Sequence, residues 1–401
     1  MQETRTICFC NSNIPWGGGE AWHLSAALSF AARGWRVFLL CRPEGELYKR
    51  AVQYRGITVI PLRLSRFSFL NPLLRVRLCR FFLRESVEAI IMNLPTDLKV
   101  AGPSARKAGV RHVVYRRGSA LPVRDSAMNR YLYGSVITRL ITNSRATREQ
   151  VLANNPGLIA AEKIAVIPNG VNIEAFDAAL AEARQKPPLL PDLPDRRPLI
   201  IGNAGRLNRQ KGQHMLLQLA AKLLDAGIDC RVLIAGEGER EAELRELAKR
   251  LALGDKVLFC GFMQDLSPFW LAIDVFVLTS LWEGFGNVVI EAGLAEKPVL
   301  AFAVSNLPEL IHEGPDGNGL LFPLPEGMES LALDTRGHAV EGSTGENCGP
   351  ESGAPLAAMA TALAELAEKP EKREAMGCAG RRMALRYAQT VCMDAVEALL
   401  H

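Results

Sequence analysis

The sequence predicts an α/β protein with two Rossmann-like domains, each built on a doubly wound parallel sheet. Short apolar runs alternate with helical patterning along the first half of the chain, and the alternation restarts after a proline-rich stretch at 185–195. The chain has 401 residues, 48% of them hydrophobic, which exceeds one comfortable core and suits two. We therefore expect an N-terminal domain over 1–186 and a C-terminal domain over 187–386, with the proline-rich stretch as their linker.

The first domain is predicted from its apolar runs, taken in order along the chain. They are short and rich in β-branched and aromatic residues, as buried strands are. Helical patterning follows them, so the strands should lie parallel. The predicted strands are 5–10, 36–41, 58–62, 89–93, 113–116 and 140–143. The predicted helices include 19–33 and 45–54, and a long segment, 71–86, follows the third strand.

The second domain repeats this order after the linker. The predicted strands are 199–204, 231–235, 257–260, 275–279 and 299–303, and the predicted helices include 213–225, 239–253 and 287–295. A polar stretch at about 334–355 is expected to be a mobile loop without a function of its own. Helical patterning resumes at Leu356 and continues to His401.

The cysteines and the apolar runs indicate a cytoplasmic protein. Nine cysteines include no Cys-x-x-Cys pair, and several lie inside strand-like runs, which favours reduced, buried thiols over a disulfide framework or a zinc site. The first residues lead directly into a strand, so no signal peptide is expected. No apolar run reaches the length of a membrane span.

The net charge of +4 conceals an asymmetry between the two halves. Residues 1–186 carry 27 Lys and Arg against 13 Asp and Glu, which is +14, whereas residues 187–401 carry 20 against 30, which is −10. A basic first half indicates an anionic partner. Nucleic acid, an anionic membrane surface and a phosphorylated glycan all remain compatible with this charge.

One segment of the first half, 62–84, mixes six arginines with apolar residues. Arg77, Arg80 and Arg84 are three and four residues apart and fall on one helical face. A basic amphipathic helix suits peripheral contact with an anionic membrane. An ordinary helix packed on the sheet with a solvated arginine face is the alternative.

The second half places two glutamates around a Gly-Phe-Gly turn. Glu283 precedes the turn, which follows an apolar run, and Glu291 lies inside the helix predicted after it. The start of a helix presents free N–H groups that bind anions. A phosphate there would have a hydroxyl-seeking carboxylate on each side, as a nucleotide sugar requires. A turn with two solvated glutamates is the alternative.

Two cations and two glycine turns follow other predicted strands. Arg206 and Lys211 lie at a carboxyl strand end, where ligands bind in such sheets, and together they suit a diphosphate. A solvated basic loop is the alternative. The turns Gly236-Glu237-Gly238 and Gly17-Gly18-Gly19 each open a helix. Each would allow backbone to approach a phosphate, or would simply begin a helix.

Five motifs in this order resemble the retaining GT-B glycosyltransferases of family four (glycosyl transferases group 1), including those of lipopolysaccharide synthesis. The motifs are Gly-Gly-Gly-Glu (17–20), Ile-Pro-Asn-Gly-Val-Asn (167–172), Gly-Arg-x4-Lys-Gly (205–212), Gly-Glu-Gly (236–238) and Glu-x7-Glu (283–291). The resemblance covers most of the chain and is stronger in the second half. It implies two domains that face each other across a cleft, with a last helix, about 387–401, that packs back onto the first domain.

The resemblance also implies roles for individual residues. Arg206 and Lys211 would bind the donor diphosphate and stabilise the leaving group, and Glu283 would accept hydroxyls of the donor sugar; these three are the expected catalytic residues. Glu291 would hold the ribose hydroxyls. The expected donor-binding residues are Gly17, Gly18, Gly19, Gly205, Glu237, Phe285, Gly286, Asn287, Val288 and Glu291.

Transfer in such enzymes retains the anomeric configuration, and the acceptor hydroxyl attacks on the leaving-group face. This route requires no protein nucleophile, which agrees with the lack of a recognisable Ser/His/Asp set. The chain has no Asp-x-Asp pair to bind a metal–diphosphate complex. We therefore expect no metal and no cofactor, with a nucleotide diphosphate sugar, UDP-sugar favoured, as the donor substrate.

The chain departs from the family pattern on the acceptor side. Many relatives have a histidine after the strand that here includes Val113-Val114-Tyr115, whereas this chain has Arg116 and Arg117. Since an arginine is no base at neutral pH, we expect these two to bind an anionic acceptor or the donor phosphates. His112 is expected to be structural. Asp97 follows another strand and is a candidate for contacting the acceptor or acting as a base, or else a helix cap.

The predicted function is transfer of a sugar to an anionic glycan or lipid-linked acceptor, as in bacterial envelope polysaccharide or lipopolysaccharide synthesis. A GT-B epimerase or phosphorylase is one alternative. A nucleic-acid-binding protein on a Rossmann scaffold is another, although the recognition modules of such proteins are missing. We expect no nucleic-acid partner and a monomer or weak oligomer.

Overall fold

The computed structural model describes residues 4–190, 197–326, 328 and 353–401. These residues form two compact units, Met1–Gly170 with Gln389–His401, and Val171–Ala388. The division therefore falls before the predicted boundary at 186. The reason is the helix Ile173–Ala183, whose Leu180 is buried in the core of the second unit. Asp177 on the same helix accepts hydrogen bonds from both terminal nitrogens of Arg381, at 2.8 and 2.6 Å.

The first unit contains a sheet of seven parallel strands within the described residues. In chain order they are β1 Thr6–Asn11, β2 Arg36–Cys41, β3 Thr58–Pro61, β4 Ala89–Met92, β5 His112–Arg117, β6 Arg139–Thr142 and β7 Ile164–Val166. Their order in the sheet is β3-β2-β1-β4-β5-β6-β7. The order reverses between β1 and β4, so loops at the carboxyl ends of these two strands flank the switch point, where such sheets bind ligands.

Helices cover both faces of this sheet. Alternate residues of β1 point to opposite faces, so Cys8 and Cys10 enter one core and Ile7 and Phe9 the other. The helices of this unit, numbered in chain order, are α1 Gly18–Ala32, α2 Glu46–Ala51, α3 Pro72–Arg84, α4 Pro95–Lys107, α5 Ala127–Tyr131, α6 Arg145–Leu152 and, at the end of the chain, α15 Gln389–Ala398.

The last helix is tied to the first unit by packing and charge. Met393 and Val396 of α15 are buried in the core that contains Phe30. Glu397 accepts hydrogen bonds from Arg33 at 2.7 Å and from the indole Nε1 of Trp35 at 2.8 Å. These contacts explain why the chain terminus groups with the first unit although it follows the second in sequence.

The second unit has a six-stranded parallel sheet within the described residues. Its strands are β8 Leu199–Ala204, β9 Cys230–Ala235, β10 Val257–Gly261, β11 Val275–Leu278, β12 Val299–Phe302 and β13 Gly319–Phe322, in the sheet order β10-β9-β8-β11-β12-β13. Its helices are α7 Ile173–Ala183, α8 Gln213–Asp225, α9 Glu241–Arg250, α10 Ser267–Ala272, α11 Asn287–Leu294, α12 Leu307–Leu310, α13 Gly353–Glu368 and α14 Pro370–Ala384. The strand order reverses between β8 and β11.

Some element bounds differ from those predicted. The helix predicted over 239–253 is observed as α9 and ends at Arg250, because Ala252 has φ 51°, which no α-helix accommodates. The strands β7 and β13 were not predicted; they are three and four residues long and lie at sheet edges. Of the loop predicted at 334–355, residues 334–352 lie outside the described residues, and helix α13 begins at Gly353.

Within the described ranges, every helix is too short or too polar to cross a membrane. The eight cysteines in those ranges are all free thiols, and Cys8, Cys10, Cys41, Cys230 and Cys392 are buried. Burial raises the pKa of the Cys230 thiol to about 11, so this thiol stays protonated at neutral pH.

Candidate active site

A buried ion pair lies at the strand-order reversal of the second unit. The Lys211 Nζ donates a hydrogen bond to Glu283 Oε1 at 2.6 Å. The side chains are only 15% and 5% exposed, so both charges are largely withdrawn from water. Lys211 follows β8 and Glu283 follows the neighbouring strand β11. The pair thus joins the two strands on either side of the switch point.

The loops that bear this pair hold one another in place. The Asn208 side chain accepts a hydrogen bond from the Lys211 N–H at 3.2 Å and so caps the turn. The Thr279 hydroxyl donates to the Lys211 carbonyl at 3.2 Å. Gln210 donates from its side chain to the Trp282 carbonyl at 2.9 Å, and its own carbonyl accepts from the Leu281 N–H at 2.8 Å. Lys211 and Glu283 therefore sit on a preorganised frame.

Glycines allow these loops to pack backbone against backbone. A Cβ on Gly212, which has φ 61°, would lie 2.2 Å from the Thr279 carbonyl oxygen. A Cβ on Gly236, which has φ 137°, would lie 2.0 Å from the Gly205 carbonyl oxygen. Both contacts are far shorter than any side chain tolerates. The two glycine motifs after β8 and β9 are thus explained first by close packing at this edge of the sheet.

Arg206 is the exposed cation of the same edge. Its side chain is exposed and makes no hydrogen bond or ion pair with another described residue. Its carbonyl accepts from the Gln213 side chain at 3.1 Å, which fixes the backbone from which the guanidinium extends. Glu237, on the adjacent loop, accepts from the Phe262 N–H at 3.3 Å. A guanidinium without a carboxylate partner, on a fixed backbone, suits an incoming anion.

The Gly-Phe-Gly turn begins α11 with defined geometry. Gly286 caps the helix with φ 81°, a conformation that favours glycine. The Phe285 side chain is buried, and its carbonyl accepts from the Asn306 side chain at 2.6 Å. The Ser305 hydroxyl accepts from the Glu283 N–H at 3.0 Å. The turn is therefore held from the loop after β12 by Ser305 and Asn306, two residues that no sequence motif indicates.

Glu291 lies on the second turn of α11 and is partly buried. Its carboxylate makes no hydrogen bond with another described residue, and burial raises its pKa to about 7. The Glu291 carboxyl is thus protonated in about half of the molecules near neutral pH. A ligand that brings hydroxyl donors to this carboxylate would favour its ionised form and relieve the cost of burial.

In the first unit, Arg116 is buried at the carboxyl end of β5. It is 2% exposed, its Nη1 donates to the Asn93 side-chain oxygen at 3.1 Å, and its Nη2 donates to that of Asn169. Its Cζ lies 4.3 Å from the centre of the Trp22 ring. Burial lowers its pKa to about 9, opposed by the charge of Glu20. The expected anion-binding arginine is thus directed into the unit, where two amides and an indole surround it.

Glu20 and His23, both on α1, complete this polar cluster. Glu20 is 3% exposed and accepts from the Asn11 side chain at 3.1 Å. The His23 Nδ1 lies 3.2 Å from the Gly19 carbonyl oxygen. Burial, and then the charge of Arg116, lower the pKa of His23 to about 3, so this imidazole is neutral at pH 7. The glycine turn leaves room for the cluster, because a Cβ on Gly19 would lie 2.7 Å from the Asn93 side-chain nitrogen.

Asp97 caps the start of α4. Its carboxylate accepts from the N–H groups of Leu94 at 3.1 Å and Ser12 at 3.3 Å, and it is fully buried. Burial raises its pKa to about 7. Arg117 donates to the Leu121 carbonyl at 2.7 Å. His112 begins β5 and so lies at the end of the strand opposite to Arg116 and Arg117.

The structure thus gathers the predicted residues into two groups, one in each unit. Gly205, Arg206, Lys211, Glu237 and the 283–291 segment follow β8, β9 and β11, which are neighbours in the second sheet. The glycine turn of α1, Asp97 and Arg116 follow or end β1, β4 and β5, which are neighbours in the first. Across the described ranges, no group of three or more His, Cys, Asp or Glu side chains has the geometry to hold a metal ion.

Two family models match the chain. Glycosyltransferase Family 4 matches residues 16–175, and glycosyl transferases group 1 matches residues 191–334. Together the two matches span most of the chain and take in both groups of site residues. The chain belongs to the family-four glycosyltransferases. This confirms the family that the five spaced motifs predicted.

Individual relatives support this family-four membership. The chain is 29% identical over 225 residues to a 2-deoxystreptamine glucosyltransferase of Streptomyces kanamyceticus, covering 53% of this chain and 58% of the relative. It is 30% identical over 161 residues to the lipopolysaccharide core biosynthesis mannosyltransferase LpsB of Rhizobium meliloti, covering 39% and 45%. The chain spans about half the length of these curated relatives.

Solved structures show the fold of this family-four chain over 98% of its length. HepE of Anabaena, crystallised with UDP, matches with a TM-score of 0.75 and 21% identity over 98% of this chain and 99% of HepE. The lipopolysaccharide outer core galactosyltransferase WaaB matches with a TM-score of 0.68 and 15% identity over 98% of each chain. The GT-B fold, with two Rossmann-like domains, is thereby confirmed.

Proposed function

We propose that this protein is a retaining, metal-independent glycosyltransferase that uses a UDP-sugar. The acceptor is an anionic glycan or a lipid-linked glycan of a bacterial envelope polysaccharide or lipopolysaccharide. The observation that carries the proposal is the buried Lys211–Glu283 pair beside the start of α11, with Arg206 exposed on the same edge. Family membership, the LpsB relative and the UDP complex of HepE support it.

The donor fits this edge by charge and by hydrogen bonding. A nucleotide diphosphate sugar is anionic at neutral pH, and Arg206 supplies a cation for it together with Lys211, whose charge is shared with Glu283. The start of α11 adds backbone N–H groups directed toward the phosphates. Glu291 offers the ribose hydroxyls an acceptor that has no hydrogen bond with another described residue, and the pKa of its carboxyl falls once these donors arrive.

Glu283 and Lys211 have complementary tasks in the proposed reaction. The Lys211 ammonium holds the Glu283 side chain in place through their hydrogen bond, and this carboxylate accepts hydroxyls of the donor sugar and fixes the ring. As the glycosidic bond to phosphate breaks, negative charge develops on the diphosphate, and Arg206 and Lys211 stabilise it. The acceptor hydroxyl attacks from the face that the diphosphate leaves, loses its proton to the departing phosphate oxygen, and the anomeric configuration is retained.

The location and partners follow from the same proposal. We place the enzyme in the cytoplasm, supported by the eight free thiols of the described ranges. The acceptor is expected to meet the first unit, whose sequence supplies most of the positive charge. We expect a monomer or weak oligomer. Nothing in the described residues favours an epimerase, a phosphorylase or a nucleic-acid-binding protein.

Turnover with a panel of UDP-sugars and lipid-linked or lipopolysaccharide acceptors, in the presence of EDTA, tests the proposal. Arg206→Ala and Lys211→Ala should each lower kcat by about 10²- to 10³-fold, the usual loss when one group that stabilises the leaving charge is removed. Arg250→Ala, an exposed cation of α9, is the matched control. NMR of the product should show the anomeric configuration of the donor. An inverted product, or full activity in Lys211→Ala, would overturn the proposal.

A further inference from the structure

Helix α3 is anchored firmly to the first unit by one of its faces. Leu78 and Phe82, which are 4% and 1% exposed, are buried in the core, and Leu74 packs beside them. The Asn71 side chain accepts from the Leu74 N–H at 3.1 Å and caps the helix, and Pro72 occupies its first position. The outer face is therefore presented by a fixed element.

That outer face and the turn before it expose large apolar side chains. Phe67, Leu70, Leu73 and Leu83 are 58%, 67%, 80% and 58% exposed. With Val76, they make five of the fourteen large hydrophobic side chains that are exposed among the described residues, all within 67–83. Isolated exposed leucines need no explanation, whereas such a cluster marks an interaction surface.

Arginines surround these apolar side chains. The segment 62–84 contains six arginines and no acidic residue. Arg77 and Arg80 follow Leu73 by four and seven residues, so they share its helical face. Both are exposed, and neither forms an ion pair with another described residue. The carboxylates of Glu44 and Glu85 are already paired with Arg63 and with Arg84.

We propose that this α3 surface, made of Phe67, Leu70, Leu73, Leu83, Arg77 and Arg80, docks the enzyme peripherally on an anionic lipid bilayer. The aromatic and aliphatic side chains enter the headgroup region, and the guanidinium groups bind lipid phosphates. This combination, a large apolar content with cations on the same face, matches the boundary between acyl chains and charged headgroups.

Two other occupants fit the surface less well. A nucleic acid offers phosphates to the arginines but no continuous apolar environment to the clustered side chains of Leu70, Leu73 and Leu83. A second copy of the chain, in a twofold dimer, would bring the same patch against itself and oppose its arginines, with no carboxylate inside the segment to compensate them. The lipid surface satisfies both features, and binding to it does not depend on the function proposed above.

Flotation of the full-length protein with vesicles tests this proposal without any sugar donor. The protein should float with vesicles of phosphatidylcholine and phosphatidylglycerol and not with phosphatidylcholine alone, and 0.5 M salt should release most of it. Arg77→Gln with Arg80→Gln should weaken partitioning by about 25-fold, since each arginine near such a surface contributes about fivefold. Leu70→Ser with Leu73→Ser should also weaken it, at low and high salt alike.

Lys222→Gln with Arg250→Gln removes two exposed cations from the second unit and should leave flotation unchanged. All the substituted side chains are exposed, so folding should persist, and UDP binding measured on each variant reports it separately. Equal binding to both vesicle types, or normal flotation of the α3 variants, would overturn the proposal. So would displacement from vesicles by an arbitrary oligonucleotide, or a dimer in sedimentation that Leu70→Ser with Leu73→Ser abolishes.

Discussion

At the scale of single residues, Glu291 and Arg116 show how burial changes what an ionisable group does. Glu291 is partly buried, makes no hydrogen bond with another described residue, and its pKa rises to about 7. Arg116 is buried with two amide partners and an aromatic ring, and its pKa falls to about 9. The Glu291 carboxyl can therefore accept hydrogen bonds from a ligand, whereas the two terminal nitrogens of Arg116 already have protein partners and its buried Nε lacks one. The family resemblance, which does not reveal burial or partners, suggested ligand-binding roles for both of them.

A pH-dependent stability should follow from Glu291. Its pKa is higher in the folded chain than in an unfolded one, so the folded state binds more protons between about pH 4.5 and 7. Stability from this group is therefore full below that window and is lost as the pH rises through it. Glu291→Gln should reduce the difference between the free energies of unfolding at pH 5 and pH 8, measured by urea denaturation, by about 1.4 kcal/mol for each unit of pKa shift removed.

The matched control for this change is Glu246→Gln, at an exposed position of α9 with 62% of its side chain accessible. This variant should keep the pH dependence of the parent. An unchanged difference between pH 5 and pH 8 in Glu291→Gln would contradict the assignment. Asp97, whose pKa is also about 7, should maintain part of the fall in stability in every variant.

At the scale of elements, the sequence predicts well what is local and periodic. Strands 36–41 and 199–204 and helix 213–225 are observed at the predicted bounds. Buried strands and amphipathic helices can be recognised from the hydrophobic pattern of a short stretch of sequence. The edge strands β7 and β13 escaped prediction because they are short and their runs are only partly buried.

The residues at the carboxyl edge of the second sheet were predicted better than the polar cluster of the first unit. Lys211 and Glu283 follow strands that the sequence reveals, so their meeting at one edge follows from parallel pairing. Ser305 and Asn306 also follow a predicted strand, and this position was the available signal for them. Arg116 finds its partner Asn169 through tertiary packing, which no local pattern encodes.

The glycine turn at 236–238 provides a prediction about elements. Gly236→Ala should destabilise the fold by several kcal/mol, because the new Cβ would lie 2.0 Å from the Gly205 carbonyl oxygen and force the β8 and β9 loops apart. Gly227→Ala is the matched control, since Gly227 also has a positive φ, 76°, yet nothing lies within 4 Å of its Cβ. That change should cost only about 1 kcal/mol.

Urea denaturation of both glycine variants separates the cost of the steric clash from the cost of a positive φ. A similar loss of stability in Gly236→Ala and Gly227→Ala would show that the positive φ alone, and not the clash, destabilises the variants. UDP affinity gives a second measurement. Displacement of the loops should weaken UDP binding in Gly236→Ala, whereas Gly227→Ala, which displaces no loop, should bind UDP normally. The control lies after α8, away from the carboxyl edge of the sheet.

At the scale of the whole molecule, charge and ligand chemistry divide between the two halves of the sequence. The first 186 residues carry a net +14 and the remainder −10, although the cations Arg206 and Lys211 belong to the second part. Under the proposed function, a nucleotide diphosphate would meet local cations in an acidic half, and the basic half would be left for other anions. Site geometry, and not net charge, should decide nucleotide binding.

The thermal stabilisation of the chain by a bound nucleotide tests this division. UDP should raise the unfolding temperature, because a ligand that binds only the folded state at 100 times its Kd adds about 2.7 kcal/mol of stability. The shift should be the same with EDTA as with Mg²⁺, since the proposed site neutralises the diphosphate with Arg206 and Lys211. Arg206→Ala should abolish most of the shift, whereas the α3 double variant Arg77→Gln with Arg80→Gln should preserve it although its charge changes by more. A shift that requires Mg²⁺ would contradict the metal-independent site. A shift that is lost in the α3 variant instead would show that the basic half binds the nucleotide.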